Sequence, residues 1–261
     1  MARRSIAGCR SLVTGASGGI GRAIALELAR QGSSVVLVAR RAAALEQLAT
    51  EIRVTGRRAE IIVGDVTDVA IRRAALDRAG EAFGGLDILV NNAGRGAMGR
   101  FSEASPERLR EVFELNFFAA AELTRESIAM LQQGNRPIVV NIGSILGHRA
   151  TPRNSEYCAS KFALRGLTES LRPELAQLGI DMLLVSPGTT ESEFYQHVVN
   201  PSEKQPWPEQ KPVSAQKVAQ SVVRAIRLGK REIIPSARGR LLVWLNRLAP
   251  SLVDRAMRRY G

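Results

Sequence analysis

Cysteine, histidine and aromatic residues are scarce. The 261 residues include two cysteines, Cys9 and Cys158, two histidines, and 5% Phe, Trp and Tyr. Two cysteines cannot build a disulfide framework, so the fold must rest on an apolar core. The thiols read as those of a reducing compartment, or as indifferent ones. Long apolar runs are missing as well. Near the C-terminus the longest, Leu241 to Leu245, falls far short of the roughly 20 residues a membrane span needs. Arg3-Arg4 and Ile6-Ala7-Gly8-Cys9 outline a twin-arginine signal and a lipoprotein box. No apolar stretch lies between charge and cleavage site, so no cleaved leader is expected and the chain is placed in the cytoplasm.

Acid is the other shortage. Twenty-five Asp and Glu stand against 37 Lys and Arg, for a net charge of +12. Residues 224–261 hold ten of the bases and only two acids, Glu232 and Asp254. Such a tail attracts anionic lipid, nucleic acid or an acidic partner, or is simply a solvated basic surface. No basic stripe interleaved with aromatics and no DNA-reading motif is present, so nucleic acid is not expected as a partner. The remaining composition, 45% hydrophobic and 24% charged, is that of a globular domain.

Short runs of β-branched residues and leucine recur along the chain: Ser11–Val13, Ser34–Val38, Glu60–Val63, Ile88–Val90, Pro137–Ile142, Met182–Val185 and, as a seventh, Glu232–Ile234. They are continuous rather than alternating, which marks strands buried on both faces. Helical segments lie between them: Ile20–Gln31, Arg41–Thr55, Asp68–Phe83, Pro106–Gln133 and Tyr157–Leu178, each followed within a residue by glycine. This alternation predicts an α/β fold, a Rossmann-like doubly wound parallel sheet of about seven strands with helices on both faces. One domain is expected over 1–237, with an irregular lid at 189–213. A basic amphipathic extension follows at 238–261.

The turn after the first strand reads Thr14-Gly15-Ala16-Ser17-Gly18-Gly19-Ile20-Gly21 and runs into a helix. Glycines there let the backbone turn tightly and approach a pyrophosphate, which the helix N-terminus meets with free N–H groups. The second strand ends at Ala39-Arg40-Arg41, where an NAD-binding fold places an acid for the ribose 2′-hydroxyl. Guanidinium groups suit a 2′-phosphate instead, so NADP(H) is favoured over NAD(H). Asp65, beside Val66 at the end of the third strand, is a candidate acceptor for the adenine amino group. Asn91-Asn92-Ala93-Gly94 closes the fourth strand with amide and small residues that leave room for a cofactor.

Tyr157 and Lys161 stand four apart on one predicted helix face. A nearby ammonium favours a phenolate, so Tyr157 suits proton exchange near neutral pH. Thirteen residues earlier, Ser144 follows the fifth strand and offers a hydroxyl to a substrate oxygen. Asn116, a polar amide within a helix, suits the anchoring of a proton-relay water. No metal site is expected.

Together these motifs resemble the short-chain dehydrogenase/reductase family from Thr14 to Ser192. The family's cofactor turn matches 14–21, its Asn-Asn-Ala-Gly matches 91–94, its catalytic tetrad falls on Asn116, Ser144, Tyr157 and Lys161, and its Pro-Gly element falls on Pro187-Gly188. The resemblance implies that the cofactor is held by Gly15, Ser17, Gly19, Ile20, Gly21, Arg40, Arg41, Asp65, Val66, Asn92, Ala93, Gly94, Tyr157, Lys161, Pro187, Gly188, Thr190 and Ser192. Ser192 stands where relatives often carry threonine. The resemblance also implies reversible hydride transfer between a nicotinamide and a carbonyl or secondary alcohol, with Tyr157 as proton donor. A homodimer or homotetramer, pairing through the helices that begin near Pro106 and Tyr157, follows in the same way. Substrate contacts are expected from loops at the strand ends: Arg95 after the fourth strand, the 145–156 segment, and Phe194, Tyr195, His197 and Trp207 in the lid. A lipid, steroid or xenobiotic carbonyl is the favoured small-molecule substrate. A 3-ketoacyl-acyl-carrier-protein reductase, or a non-catalytic NADP sensor, is the alternative. In the tail, Leu241, Trp244, Leu245 and Leu248 form an apolar stripe at helical spacing. The ordinary reading of such a stripe is docking on the body of the protein. A membrane surface, a partner subunit or the substrate pocket also fits it.

Overall fold

The computed structural model describes residues 4–191 and 212–260. Ser192, Phe194, Tyr195, His197, Trp207 and most of the expected lid lie outside the described residues.

The apolar runs form a 7-stranded parallel sheet: β1 (Arg10–Thr14), β2 (Ser34–Ala39), β3 (Ala59–Val63), β4 (Ile88–Asn91), β5 (Ile138–Ile142), β6 (Asp181–Val185) and, after two short strands described below, β9 (Glu232–Ile233). Their order is β3-β2-β1-β4-β5-β6-β9. The connections reverse direction between β1 and β4, which opens a crevice at their carboxyl ends. Leu12 in β1 registers with Val36 of β2 on one side and Leu89 of β4 on the other.

Helices cover both faces. The apolar sides of α1 (Gly19–Arg30), α2 (Ala42–Val54) and α7 (Ala215–Arg227) pack on one, with Ile24, Leu28, Leu48, Ile52, Val222 and Ile226 fully buried. The other carries α3 (Val69–Phe83), α5 (Ala119–Gln132) and α6 (Ser155–Ala176), through Leu76, Leu123, Leu131 and Leu175. Asp68 caps α3 by accepting from the Ala70 N–H at 2.8 Å, and Gly84 ends it in the left-handed conformation that glycine favours. The N-terminal segment is pinned by Arg4, which donates to the carbonyls of Arg136 and Ile226 and to the Asp181 carboxylate, each at 2.7 Å.

Three expectations change. The helix expected over 106–133 is not uniform: α4 (Pro106–Phe113) passes through a π-helical turn, 114–118, before α5 begins. An inserted residue of this kind shifts the phase of the apolar pattern by one and re-aims the side chains that follow, a small offset that the reading of one continuous helix passes over. The ends of the 189–213 segment are paired rather than irregular. β7 (Thr190–Glu191) and β8 (Val213–Ser214) lie parallel, Thr190 against Val213.

The third concerns the tail, where α8 (Ala237–Leu248) and α9 (Pro250–Met257) follow the last strand. Gly239 and Val243 turn inward, while the stripe expected to dock, Leu241, Trp244, Leu245 and Leu248, is exposed. The inward face is seated by close packing as well as by polar contacts: Gly239 lets α8 lie against Ile145 and Ile234, and Val243 is buried. Arg149 donates to Asn246 at 3.2 Å and pairs with Asp254 at 2.7 Å, and the Asn246 amide donates to the His148 carbonyl at 3.3 Å. These contacts fix the opposite face of α8 against the body.

Candidate active site

The crevice at the strand ends holds a cavity of about 690 Å³. Its one end is built by the glycine turn. Gly15 has φ +64°, and a Cβ there would come 2.8 Å from the Asn92 amide nitrogen. Gly21 does not line the cavity: it is buried, and a Cβ on it would collide with Asn92 and with the Gly15 carbonyl. Its role is to seat α1 against the turn. The N-cap of α1, Gly18, supplies no side-chain acceptor, and the first helical turn holds no acid. The leading N–H groups and the positive end of the helix dipole are therefore turned to the cavity mouth, beside Ser17, Gly19 and Ile20.

Thr14 joins this turn to the fourth strand. Its Oγ1 accepts from the backbone N–H groups of Asn92 and Ala93, both at 3.0 Å, and the Asn92 side chain donates back to the carbonyls of Thr14 (2.9 Å) and Gly15 (3.2 Å). Asn91 turns the other way. Its amide donates to Asn141 at 2.9 Å and Thr124 at 3.0 Å, and Asn141 donates to Thr168 at 2.9 Å. This buried polar chain ties β4 and β5 to α5 and α6.

Beyond Ala39 the cavity is edged by Arg40 and Arg41. Arg41 lies over the glycine turn, its Nε donating to Ser17 Oγ at 3.2 Å and a terminal nitrogen to the Ser17 carbonyl at 2.9 Å. Arg40 is exposed and stands 3.7 Å from the Asp65 carboxylate. The other Asp65 oxygen accepts from the backbone and hydroxyl of Thr67, at 3.0 and 2.9 Å. One of its two oxygens is thus held within the turn that follows β3, while Val66 is buried against the core.

The opposite end contains Ser144, Tyr157 and Lys161. Ser144 is buried and caps a short turn by accepting from the Leu146 N–H at 3.1 Å. Lys161 is buried beneath the cavity floor, where its Nζ donates to the Ile142 carbonyl at 2.9 Å and lies 5.9 Å from the centre of the Tyr157 ring. Burial pushes its pKa down from the usual 10.5 to about 8. Asn116 sits in the π turn, outside the cavity lining. Its Oδ1 accepts from the Arg95 N–H at 2.8 Å, and its Nδ2 donates to the Arg95 carbonyl and to Ser160 Oγ, both at 3.0 Å. It thereby clamps the loop after β4 to the turn of α6 that carries Lys161. A buried ion pair braces the same corner: Arg108, on α4, donates to Glu156, on α6, through Nε at 2.8 Å and through a terminal nitrogen.

Pro187, Gly188 and Thr190 close the wall at the end of β6, and Arg95 stands at the cavity rim with its guanidinium 3.1 Å from Glu111. The chamber between the two ends is lined by Met98, Leu115, Ile145, Leu146, Leu242 and Met257. Leu242 and Met257 come from α8 and α9, so the tail does meet the cavity, one of the readings the sequence leaves open, but through these two residues and not through the Leu241–Leu248 stripe. A helical wheel alone does not tell which face of a tail helix meets a cavity formed far away in sequence.

Comparison with known proteins agrees with this architecture. The family described as short chain dehydrogenase matches residues 10–203. A ketoacyl reductase of the cyanobacterium Nostoc, HetN, is 31% identical over 98% of this chain and 91% of its own. A short chain dehydrogenase/reductase from Burkholderia phymatum, solved with NAD, superposes with a TM-score of 0.86 at 26% identity, covering 95% of this chain and 96% of the other. A short chain dehydrogenase from Burkholderia cenocepacia, solved with NADP, does so at 0.78 and 32% identity, covering 88% and 97%. The chain belongs to the short-chain dehydrogenase/reductase family, whose members are oxidoreductases.

Proposed function

We propose that the protein is an NADP(H)-dependent oxidoreductase that interconverts a carbonyl and a secondary alcohol on an apolar small molecule. The carrying observation is that one cavity has Ser144, Tyr157 and Lys161 at one end and the Arg40–Arg41 pair over a glycine turn at the other. The cradle fits a phosphorylated dinucleotide. The tight glycines and the uncapped start of α1 suit a pyrophosphate, and two guanidinium groups, with no carboxylate at the end of β2, suit a 2′-phosphate. Gly15, Ser17, Gly19, Ile20, Arg40, Arg41, Asp65, Val66, Asn92, Ala93, Gly94, Pro187, Gly188 and Thr190 would hold it. When bound, the nicotinamide supplies or accepts the hydride.

The chain's own work is proton transfer and polarisation. Ser144 and Tyr157 bind the carbonyl oxygen, and Tyr157 gives it a proton as negative charge develops. With a pKa near 8, Lys161 remains mostly protonated at neutral pH, so its ammonium stabilises the phenolate left behind. Asn116 keeps the Arg95 loop and α6 in register, and a relay water bound to it would return a proton toward Lys161. Met98, Leu146, Leu242 and Met257 give the substrate apolar walls, which favours a lipid, steroid or xenobiotic carbonyl. Exposed Leu109, Phe118 and Phe162 on the 106–132 and 155–176 helices suit pairing of two copies there.

Turnover of NADPH with steroid ketones, long-chain aldehydes, quinones and ketoacyl thioesters, in parallel with NADH, tests the reading. Activity that depends on Tyr157 and prefers NADPH supports it. Failure to bind either nucleotide overturns it. The likeness to a protein named as a ketoacyl reductase favours a second reading, reduction of a ketoacyl thioester on an acidic carrier. The thioester arm of the same panel decides between them.

A further inference from the structure

The outward face of the C-terminal helices is apolar and rimmed by arginine, and we infer that it docks on an anionic lipid bilayer. Leu241, Trp244, Leu245 and Leu248 follow the i, i+3, i+4, i+7 spacing of one helix face. Trp244 is 62% exposed and Leu248 74%, and Leu252 on α9 adds a fifth exposed apolar side chain at 62%. Gly239, Val243 and Asn246 occupy the opposite face and meet the body. The stripe is therefore not core seen from its edge. It is the side of α8 turned away from the protein.

Charge selects the occupant. Around the wheel, Arg238 lies on one flank of the stripe and Arg240 and Arg247 on the other. Arg255, Arg258 and Arg259 extend the basic rim along the chain. The one acid in 237–260, Asp254, is paired with Arg149 at 2.7 Å. A second copy laid on this face would bring two sets of six arginines together, while the nearby acids are already engaged, Asp254 by Arg149 and Glu232 by His148 and Arg247. An anionic bilayer offers the opposite sign, and an apolar interior for the leucines and the indole.

The same two helices supply Leu242 and Met257 to the cavity wall. Docking would thus place the chamber beside the bilayer, where apolar ketones partition. This last step rests on the proposed reductase reading; the docking itself does not.

The test is sedimentation of the full-length chain with vesicles of phosphatidylcholine, alone or with about one-third phosphatidylglycerol. We expect binding about tenfold or more tighter with the anionic lipid, weakening steeply when salt is raised to about 1 M. Leu245→Glu/Leu248→Glu should lose that binding and keep NADPH affinity. A second readout needs no charged substitution. In Trp207→Phe, Trp244 is the remaining tryptophan, and its emission should shift to the blue on anionic vesicles. Absence of wild-type binding overturns the inference, as does binding that Leu245→Glu/Leu248→Glu leaves unchanged. A face that belongs to a second copy would show as a dimer that the double variant dissolves, with neither form binding vesicles. Vesicle binding without any ketone turnover would leave the docking standing and remove the reductase reading.

Discussion

The Lys161 ammonium sits 5.9 Å from the centre of the Tyr157 ring and is held there by the last carbonyl of β5, Ile142, at 2.9 Å. This hydrogen bond joins the central sheet to the Tyr157–Lys161 pair. The cation is anchored from below, so its distance from the phenol does not depend on a flexible side chain finding its own position.

Replacement of Tyr157 by Phe removes the hydroxyl proposed as proton donor without changing the ring that packs in the wall. Turnover is expected to fall by about 10²–10⁴-fold. NADPH binding, followed by cofactor fluorescence, should stay within a few-fold. Retention of full activity would exclude Tyr157 as the acid.

Lys161 titrates near 8 in the folded chain and near 10.5 when exposed. Between those values the unfolded chain binds the additional proton, so its contribution to stability rises with pH across about 8 to 10.5. Below pH 8 both states are protonated and the whole burial penalty is present. The stability advantage of Lys161→Met over wild type should therefore be largest near pH 7. It should shrink by up to about 3 kcal/mol toward pH 10.5 in urea titrations of the cofactor-free protein. A pH-independent difference would assign Lys161 an ordinary pKa.

Arg40→Ala should lower the preference for NADPH over NADH, measured as the ratio of kcat/KM values, by about 10–100-fold, the worth of one lost charge-assisted bond to phosphate. NADH turnover should barely move. Equal losses with both cofactors would mean that Arg40 supports the fold through Asp65 rather than reading the 2′-phosphate.

The buried Arg108–Glu156 pair predicts an asymmetry. Glu156→Gln strands a guanidinium that is almost wholly buried and should cost about 3–5 kcal/mol in urea unfolding. The double change Arg108→Met/Glu156→Leu should recover most of it. If the double variant is as unstable as the single one, the pair contributes through packing and not through charge.

The strands were legible because burial on both faces forces continuous apolar runs, and the glycine turn because only glycine tolerates the approach of Asn92. Tyr157, Lys161 and Ser144 were legible as a pattern of groups at fixed spacing, and the structure brings all three to one cavity. What escaped the sequence depends on distant contacts. The π turn at Asn116 shifts the helical phase by one residue within an otherwise continuous helical stretch. Leu242 and Met257 reach the cavity because Gly239, Val243 and Val253 pack inward and Arg149 holds Asn246 and Asp254, contacts that join residues far apart in the chain. The exposure of Trp244 follows from the choice of inward face: Gly239, Leu242, Val243 and Asn246 fill that side of α8, and the stripe falls on the other.

The placement of the cavity's outer wall in α8 and α9, after the last strand of the sheet, separates two kinds of inherited change. Substitutions in the glycine turn or at the Tyr157 corner act on parts whose geometry the central sheet enforces, and they are paid for in folding as well as chemistry. Substitutions at Leu242 or Met257 fall on the chamber wall, outside the strands, the glycine turn and the helix of Tyr157. On the proposed reading, a lineage would exchange one substrate for another by drifting in its final two helices while the reaction is left alone.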